Sequence, residues 1–567
     1  MATSGFENVL DTVLGVLRRN GLDDQTRLSV PHHPGRRDLS LFGLPRGSDL
    51  ADEVLTELRE TEAVGSVSPG KGDRTSIRLS DDCVSAVGNG LEAGVPQVMS
   101  TDDLYPGKRM AINFCDPNAT KALHVGHLRN LAVGHGIASI FLAAGADLMT
   151  NSHVGDIGRS MAEAVAGYVQ FADGEDPLSR DEKTDHFVGD CYSRYVREAA
   201  KPGEVAEGQI RDPALSRENL ERDDLATTMM NRLRQGDPET VKVWRMLRDW
   251  AMQGQDETLA RLGISFDNYF MESDHLAETE WCADRLMAMG VAEPAETGAV
   301  FYATGDSNYP HLVLRRSDGH STQNLRYITL WHETRSVLNP GESLQVQGDE
   351  WLALTDYGDV LLKRLAGGEA AHPTGYLLHG MVDVDGRVVK SSQGAPWLID
   401  ELLDELVARP EIVEIAAGDD ELADRLAVAV GMGFFYAFPP AKRASLSMDA
   451  LFDPGANAGW AMALASLKAW DERYDGSPDP APKDRNYRFL AAQSQAHRQL
   501  TRRACEERNP AYLARFHMHL CQWFLGVECT PHLARAMRTV TSVGSRSLGL
   551  PILQGTAQPR YRDAAAS

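Results

Sequence analysis

Cysteine is scarce and scattered: Cys83, Cys115, Cys191, Cys282, Cys505, Cys521 and Cys529 are the seven in 567 residues, and none stands in Cys-x-x-Cys spacing. That excludes a zinc ribbon or a disulfide framework as the organising device. There is no run of about 20 uncharged apolar residues, so no membrane span and no membrane partner are expected. The start, Met-Ala-Thr-Ser-Gly-Phe-Glu-Asn, lacks the basic residues and apolar core of a secretory signal, and a cytoplasmic location is expected. Positive charge is short as well: 57 Lys and Arg against 81 Asp and Glu give a net charge of −24. Taken as a total, that balance speaks against a nucleic-acid partner.

The chain is long enough for three or four hydrophobic cores. Its charge is uneven. Between Lys483 and Arg562, 13 Lys and Arg face four acids (Asp484, Glu506, Glu507 and Glu528), a local balance of +9 that leaves −33 for the remainder. A basic end on an acidic chain can steer a polyanion; an Arg-rich helical surface without a partner is the plainer alternative.

The stretch from Asn113 to His127 (Asn-Phe-Cys-Asp-Pro-Asn-Ala-Thr-Lys-Ala-Leu-His-Val-Gly-His) follows a short apolar run, Met110 to Ile112, that reads as a strand. It precedes a segment from Leu128 to Leu148 with apolar residues at helical spacing. Strand, turn and helix would put His124 and His127 in the first helical turn, beside Gly126. A helix N-terminus offers unpaired N–H groups and a positive dipole end to phosphates. Imidazoles there can donate hydrogen bonds to charge developing on an α-phosphate. Two histidines three apart also suit a metal pair or a mere helix start, and four residues alone do not choose. Repeated strand–turn–helix units imply an α/β, doubly wound parallel sheet with its site at the switch point.

His-Val-Gly-His resembles the HIGH signature of class I aminoacyl-tRNA synthetases. Phe114 to His127, followed by Asn151-Ser-His-Val-Gly-Asp-Ile-Gly158, is similar to the arginyl-tRNA synthetase pattern. Leu259 to Ser273 resembles that family's RLGVxFDxYxxES segment, and His311 to His320 its LVLxKSDG turn. The resemblance implies a Rossmann-like catalytic domain at 106–400 with a helical insertion at about 166–240. It implies an N-terminal α+β domain at 1–105 and a C-terminal all-α, DALR-like anticodon-binding bundle at 401–567. Within these, helices are predicted at Phe6–Leu17 and Leu50–Thr61, a strand at Thr75–Leu79, a helix C-cap at Gly263 with Ile264 and Phe266 on the strand after it, a linker at Gly476–Pro482, and an unstructured tail from Gln554.

The same resemblance implies ATP and Mg²⁺, as MgATP, with tRNA and an amino acid as partners, in a monomer. It assigns catalytic roles to His124, His127, Lys121 and Lys390. ATP contacts fall to Gly126, His379, Met381, Ser391 and Ser392, the last two on a loop with Gly394 as hinge after an Asp385-Gly386 turn. Amino-acid contacts fall to Asn113, Asp116, Asn118, Gln323, Tyr327 and Glu350. No resident metal site is expected.

The arginine pocket departs from the family. The glutamate before the Phe of its EFSSPN strand end is Asn113 here, and its second Ser is Asp116; its later tyrosine and aspartate become Gln323 and Tyr327. A register shift of one or two residues would bring Asp318 or Glu333 to the pocket instead. A buried guanidinium without paired acids costs several kcal/mol, on the order of a thousandfold in affinity, so arginine is not the default substrate. Two functions follow: a ligase that activates arginine or another amino acid as an adenylate and transfers it to tRNA, or a tRNA-independent amide- or ester-forming ligase of a specialised biosynthetic pathway. A non-catalytic binding protein is disfavoured by the retained histidines and Lys121.

Overall fold

The structure is a computed structural model that describes residues 8–22, 26–35, 37–45, 47–199, 224–368, 374–384, 387–388, 397–475 and 484–553. Its centre is a five-stranded sheet: β1 (Arg109–Asn113), β2 (Asp147–Val154), β3 (Asn268–Met271), β4 (Glu342–Gly348) and β5 (Thr374–His379), in the spatial order β5-β4-β1-β2-β3. Every pairing is parallel; Asn113 sits opposite Gln345 on β4 and Asn151 on β2. Met110 to Asn113 are buried, as a parallel strand covered on both faces requires. Strand order reverses between β1 and β4, and the C-terminal rim there is where an open α/β sheet binds ligands.

The helix after β1 spans Val125–Ala143. The predicted helix to Leu148 overran it, because Gly145 turns the chain at φ 85° and Leu148 already lies in β2. A Cβ on Gly145 would stand 1.8 Å from the Asp102 carbonyl oxygen, so only glycine fits that turn. Gly263 does end the helix Pro238–Arg261 with φ 71°. Ile264 is buried, yet it and Phe266 lie in the connection, since β3 begins only at Asn268.

Ahead of the sheet, helices Val9–Arg19, Asp49–Glu60 and Asp81–Glu92 pack on antiparallel strands, with Thr75–Leu79 between Leu39–Phe42 and Val64–Pro69. The helices Arg159–Phe171, Thr184–Ala199, Leu225–Arg234 and Pro238–Arg261 share a core of their own around Met161, Val165, Val188, Met229 and Leu247, despite the polar composition of that stretch. Phe6, the 476–482 linker, the 385–386 turn and the tail from 554 fall outside the described residues.

The C-terminal helices Arg485–Glu506, Ala511–Leu525 and Pro531–Leu548 change the reading of the basic segment. Arg488 pairs with Asp38 at 2.8 Å and Asp81 at 2.6 Å, Arg498 with Asp11 at 2.6 Å and with Asp103, and Arg535 with Glu92 at 2.9 Å. Arg508 reaches Glu342 at 2.9 Å and Arg538 reaches Asp475 at 2.6 Å. Much of the local surplus therefore neutralises acids of the N-terminal module and the sheet instead of facing solvent. The final helix also meets the first one after β1, where the His135 ring lies 3.1 Å from the Gly549 carbonyl. No helix among the described residues is long and apolar enough to cross a membrane.

Candidate active site

His124 is the N-cap of the Val125–Ala143 helix and His127 its third residue. His124 Nδ1 accepts the Gly126 N–H at 3.1 Å, and His127 Nδ1 accepts the His124 N–H at 3.1 Å. The two rings close a capping box in which imidazoles replace the usual hydroxyl and carboxylate. Because each Nδ1 is an acceptor, each proton sits on Nε2, and both rings can donate from their far edges. The ring centroids are 4.0 Å apart. Burial, with Lys121 close by, pushes His127 down to about 3 and His124 well below its ordinary value, so both are neutral at physiological pH. A Cβ on Gly126 would stand 2.8 Å from His124 Cε1, so glycine is what lets that ring lie across the helix mouth.

The helix mouth differs from the expectation in one respect. The Gly126 N–H is already engaged by His124, and the Val125 N–H donates to the Trp397 carbonyl at 3.0 Å. What the site can offer a phosphate is imidazole N–H, the dipole and Lys121, more than bare backbone N–H. Lys121 is held from behind: Gln255 Nε2 donates to the carbonyls of Lys121 at 2.8 Å and Asn118 at 2.9 Å.

At the end of β1 the chain takes two consecutive left-handed residues, Cys115 at φ 80° and Asp116 at φ 47°. Non-glycine residues in that conformation mark a backbone held in place by its surroundings. Here the turn aims the Asp116 carboxylate back at Asn113, whose Nδ2 donates to both oxygens at 2.8 and 2.9 Å, while the His153 N–H donates to Oδ1 at 3.0 Å. Burial outweighs those bonds and raises Asp116 to about 7. Burial, together with the charges of Asp116 and Glu272, raises the Tyr327 phenol, and Gln323 Nε2 donates to the Tyr327 hydroxyl at 3.2 Å. Asn113, Asp116, Gln323 and Tyr327 thus converge. Glu272 is paired with Arg326 at 2.7 Å, Asp318 with Arg316 at 2.8 Å, and Glu333 with His332 at 3.1 Å.

Asn118 lies beside Gly155, where a Cβ would stand 2.3 Å from its Oδ1. Glu350 is exposed on the turn after β4, and Met381 is half-buried with its carbonyl accepting the Ala444 N–H at 3.1 Å. The His379 ring is buried at the end of β5, with Nε2 3.1 Å from Asn130 Nδ2, and burial pushes it down to about 4. Lys390, Ser391, Ser392 and Gly394 lie outside the described residues.

Sequence reasoning missed Asn130. Its Oδ1 accepts the Cys115 N–H at 2.6 Å and its Nδ2 donates to the Val346 carbonyl at 3.0 Å, tying β1, β4 and β5 together at the rim. A polar residue inside an apolar helical run was the available signal. Missed too was a row of amides across the sheet, Gln345, Asn113, Asn151 and Asn268, each opposite the next.

A parallel sheet reversing at β1, with two imidazoles at the mouth of the following helix, defines a class I aminoacyl-tRNA synthetase catalytic fold. The family model for "tRNA synthetases class I (R), catalytic domain" matches residues 95–433, more than half of the chain. The chain belongs to that family, the arginyl branch of class I, and is an ATP-dependent aminoacyl-tRNA ligase. It is 28% identical over 460 residues to the arginine–tRNA ligase of Treponema pallidum, covering 76% of this chain and 72% of that one. Over 452 residues it is 28% identical to the enzyme of Treponema denticola, with the same coverage. Its fold is similar to Thermus thermophilus arginyl-tRNA synthetase, with TM-score 0.69, 18% identity and coverage of 96% and 98% of the two chains. The Plasmodium falciparum enzyme gives TM-score 0.68 and 13% identity, covering 97% and 99%.

Proposed function

We propose that the protein activates an amino acid as its adenylate and transfers the acyl group to the 3′ end of a tRNA. The substrate carboxylate oxygen attacks the α-phosphorus of ATP, the bond to the bridging oxygen breaks, and pyrophosphate leaves. A hydroxyl at the tRNA 3′ end then attacks the acyl carbon, and AMP leaves. One observation carries the assignment of the centre: the two rings cap the helix through Nδ1, which turns both Nε2–H donors outward beside Lys121. Neutral donors of this kind stabilise charge developing on the α-phosphate without a proton transfer. Mg²⁺ would arrive with the triphosphate and screen its charge. No covalent enzyme intermediate is required, so proximity and charge stabilisation supply the rate.

The amino-acid side chain would meet the cluster of Asn113, Asp116, Gln323 and Tyr327, with Asn118 on the α-amino side and Glu350 at the outer edge. Its one carboxylate, Asp116, is pushed up by burial to about 7, which weakens its hold on a cation at neutral pH. That supports a substrate range open beyond arginine. The tRNA-independent ligase remains as the second reading, favoured by the internal pairing of Arg488, Arg498 and Arg535. A pyrophosphate-exchange screen over all amino acids, with and without bulk tRNA, tests both. Exchange with one amino acid, followed by its attachment to tRNA, supports the first reading. Exchange without any tRNA attachment supports the second, and no exchange with any amino acid refutes both.

A further inference from the structure

One ion cluster takes no direct part in the proposed reaction yet lies behind it. Lys183 precedes the helix Thr184–Ala199, Asp185 and His186 begin it, Thr258 lies on Pro238–Arg261, and Asp400 is in the first turn of Ile399–Val407. Asp400 Oδ2 accepts from Lys183 Nζ at 2.7 Å and from Thr258 Oγ1 at 2.9 Å, and it lies 3.5 Å from His186 Nε2. Lys183 Nζ is also 3.5 Å from Asp185 Oδ1, and Asp185 is fully buried with no hydrogen bond to either carboxylate oxygen from the described residues. Asp185, His186 and Asp400 bring ligand atoms within 4.8 Å of one another, the chemistry of a divalent-cation site. Here the Lys183 ammonium stands against both carboxylates and supplies that positive charge itself. Asp400 holds His186 above its ordinary value, and burial raises Asp185.

The cluster is joined to the histidines by backbone. Ile399 N–H donates to the Leu123 carbonyl at 3.0 Å, Val125 N–H donates to the Trp397 carbonyl at 3.0 Å, and Leu398 pairs with His124 between them. Asp400 is the next residue. On the other side, Gln255, almost one turn before Thr258, holds the carbonyls of Asn118 and Lys121. One helix therefore grips both the chain that leads into His124 and the segment that clamps it.

We propose that Asp400 and Lys183 are positioning residues, whose half-buried ion cluster fixes the Trp397–Ile399 clamp and so the direction in which His124 presents its Nε2–H. This rests on the reading of His124 as a triphosphate contact. Two readouts separate the claim from that reading. In Asp400→Asn, amide hydrogen exchange at Val125 and Ile399 is expected to quicken about tenfold while β1 and β4 amides keep their protection. Pyrophosphate-exchange turnover is expected to fall about tenfold with KM for ATP nearly unchanged. In the double variant Lys183→Met/Asp400→Leu, removal of both charges should return the melting temperature but leave turnover and the two amides impaired. Unchanged protection at Val125 and Ile399 in Asp400→Asn overturns the proposal, and so does turnover that recovers with stability in the double variant. Full exchange activity in His127→Ala would instead refute the location of the reaction centre, while the amide readout still decides the tie.

Discussion

Replacing His127 by alanine separates the two things its ring does. The substitution removes an acceptor 3.1 Å from the His124 N–H and an Nε2–H donor that faces outward. The first loss is that of a helix cap, about 1 kcal/mol, a fall of about 2–4 °C in melting temperature for a unit of 150–250 residues. The second is that of one preorganised donor to developing charge, roughly 10²–10³ in turnover, or about 3–4 kcal/mol of barrier. His127→Gln distinguishes them, because glutamine at the third helical position still accepts from the N-cap N–H and its amide still donates. It should restore the melting temperature and return part of the rate. The assay is amino-acid-dependent pyrophosphate exchange, run with tRNA present, alongside scanning calorimetry on the same samples. Undiminished exchange in His127→Ala, with a lowered melting temperature, would mean that the rings only cap a helix.

Other consequences follow from the same geometry. Gly126→Ala should cost most of the exchange activity with little loss of fold, since the new methyl meets His124 Cε1 at 2.8 Å and displaces that ring; wild-type kinetics would refute the need for glycine. Arg129 is fully buried, faces no carboxylate among the described residues and donates to the carbonyls of Phe435, Pro439, Pro440 and Lys442, so Arg129→Met should destabilise by about 3 kcal/mol or more as those acceptors lose their partner; chemical denaturation measures it. Acid should destabilise the protein between pH 6.5 and 4: His153 is held down at about 3 and His379 and His497 at about 4 by burial, so the unfolded chain takes up protons first and stability rises with pH through that window. Asp116, raised to about 7, works in the opposite sense and loses stability as pH rises from about 4 to 7; a melting temperature that climbs on acidification from pH 7 to 5 would show that the carboxyl outweighs the histidines.

Local chemistry was legible in the sequence; long-range pairing was not. The strand before Asn113, the helix after His127, the strand Thr75–Leu79 and the Gly263 cap all rest on patterns within a dozen residues, and the structure has them. The core of the helices between residues 159 and 261 escaped because its apolar positions are few per helix and meet only in three dimensions. The ion pairs of the basic C-terminal segment escaped for a related reason. A charge count along the chain cannot see that Arg488 finds Asp38, 450 residues away. Within the site, the histidines were found by type and spacing, whereas their mutual cap required coordinates, since nothing in His-Val-Gly-His states which nitrogen faces the backbone.

That cap has a consequence for how the centre tolerates change. An N-cap serine or aspartate satisfies the backbone and leaves catalysis to other residues; under the proposed mechanism the same two rings would do both. Any substitution that improves the helix start by replacing an imidazole therefore removes a donor from the site, and any that keeps the donor must also keep the ring's back edge as an acceptor. Protonation is subject to the same constraint: a proton on Nδ1 of either ring would break a cap bond, so the fold itself opposes the charged form. Burial and Lys121 press in the same direction. On the proposed mechanism the two rings would stay neutral as a polyanion binds, which would leave Lys121 to carry the positive charge among the described residues of the motif, with the histidines supplying direction.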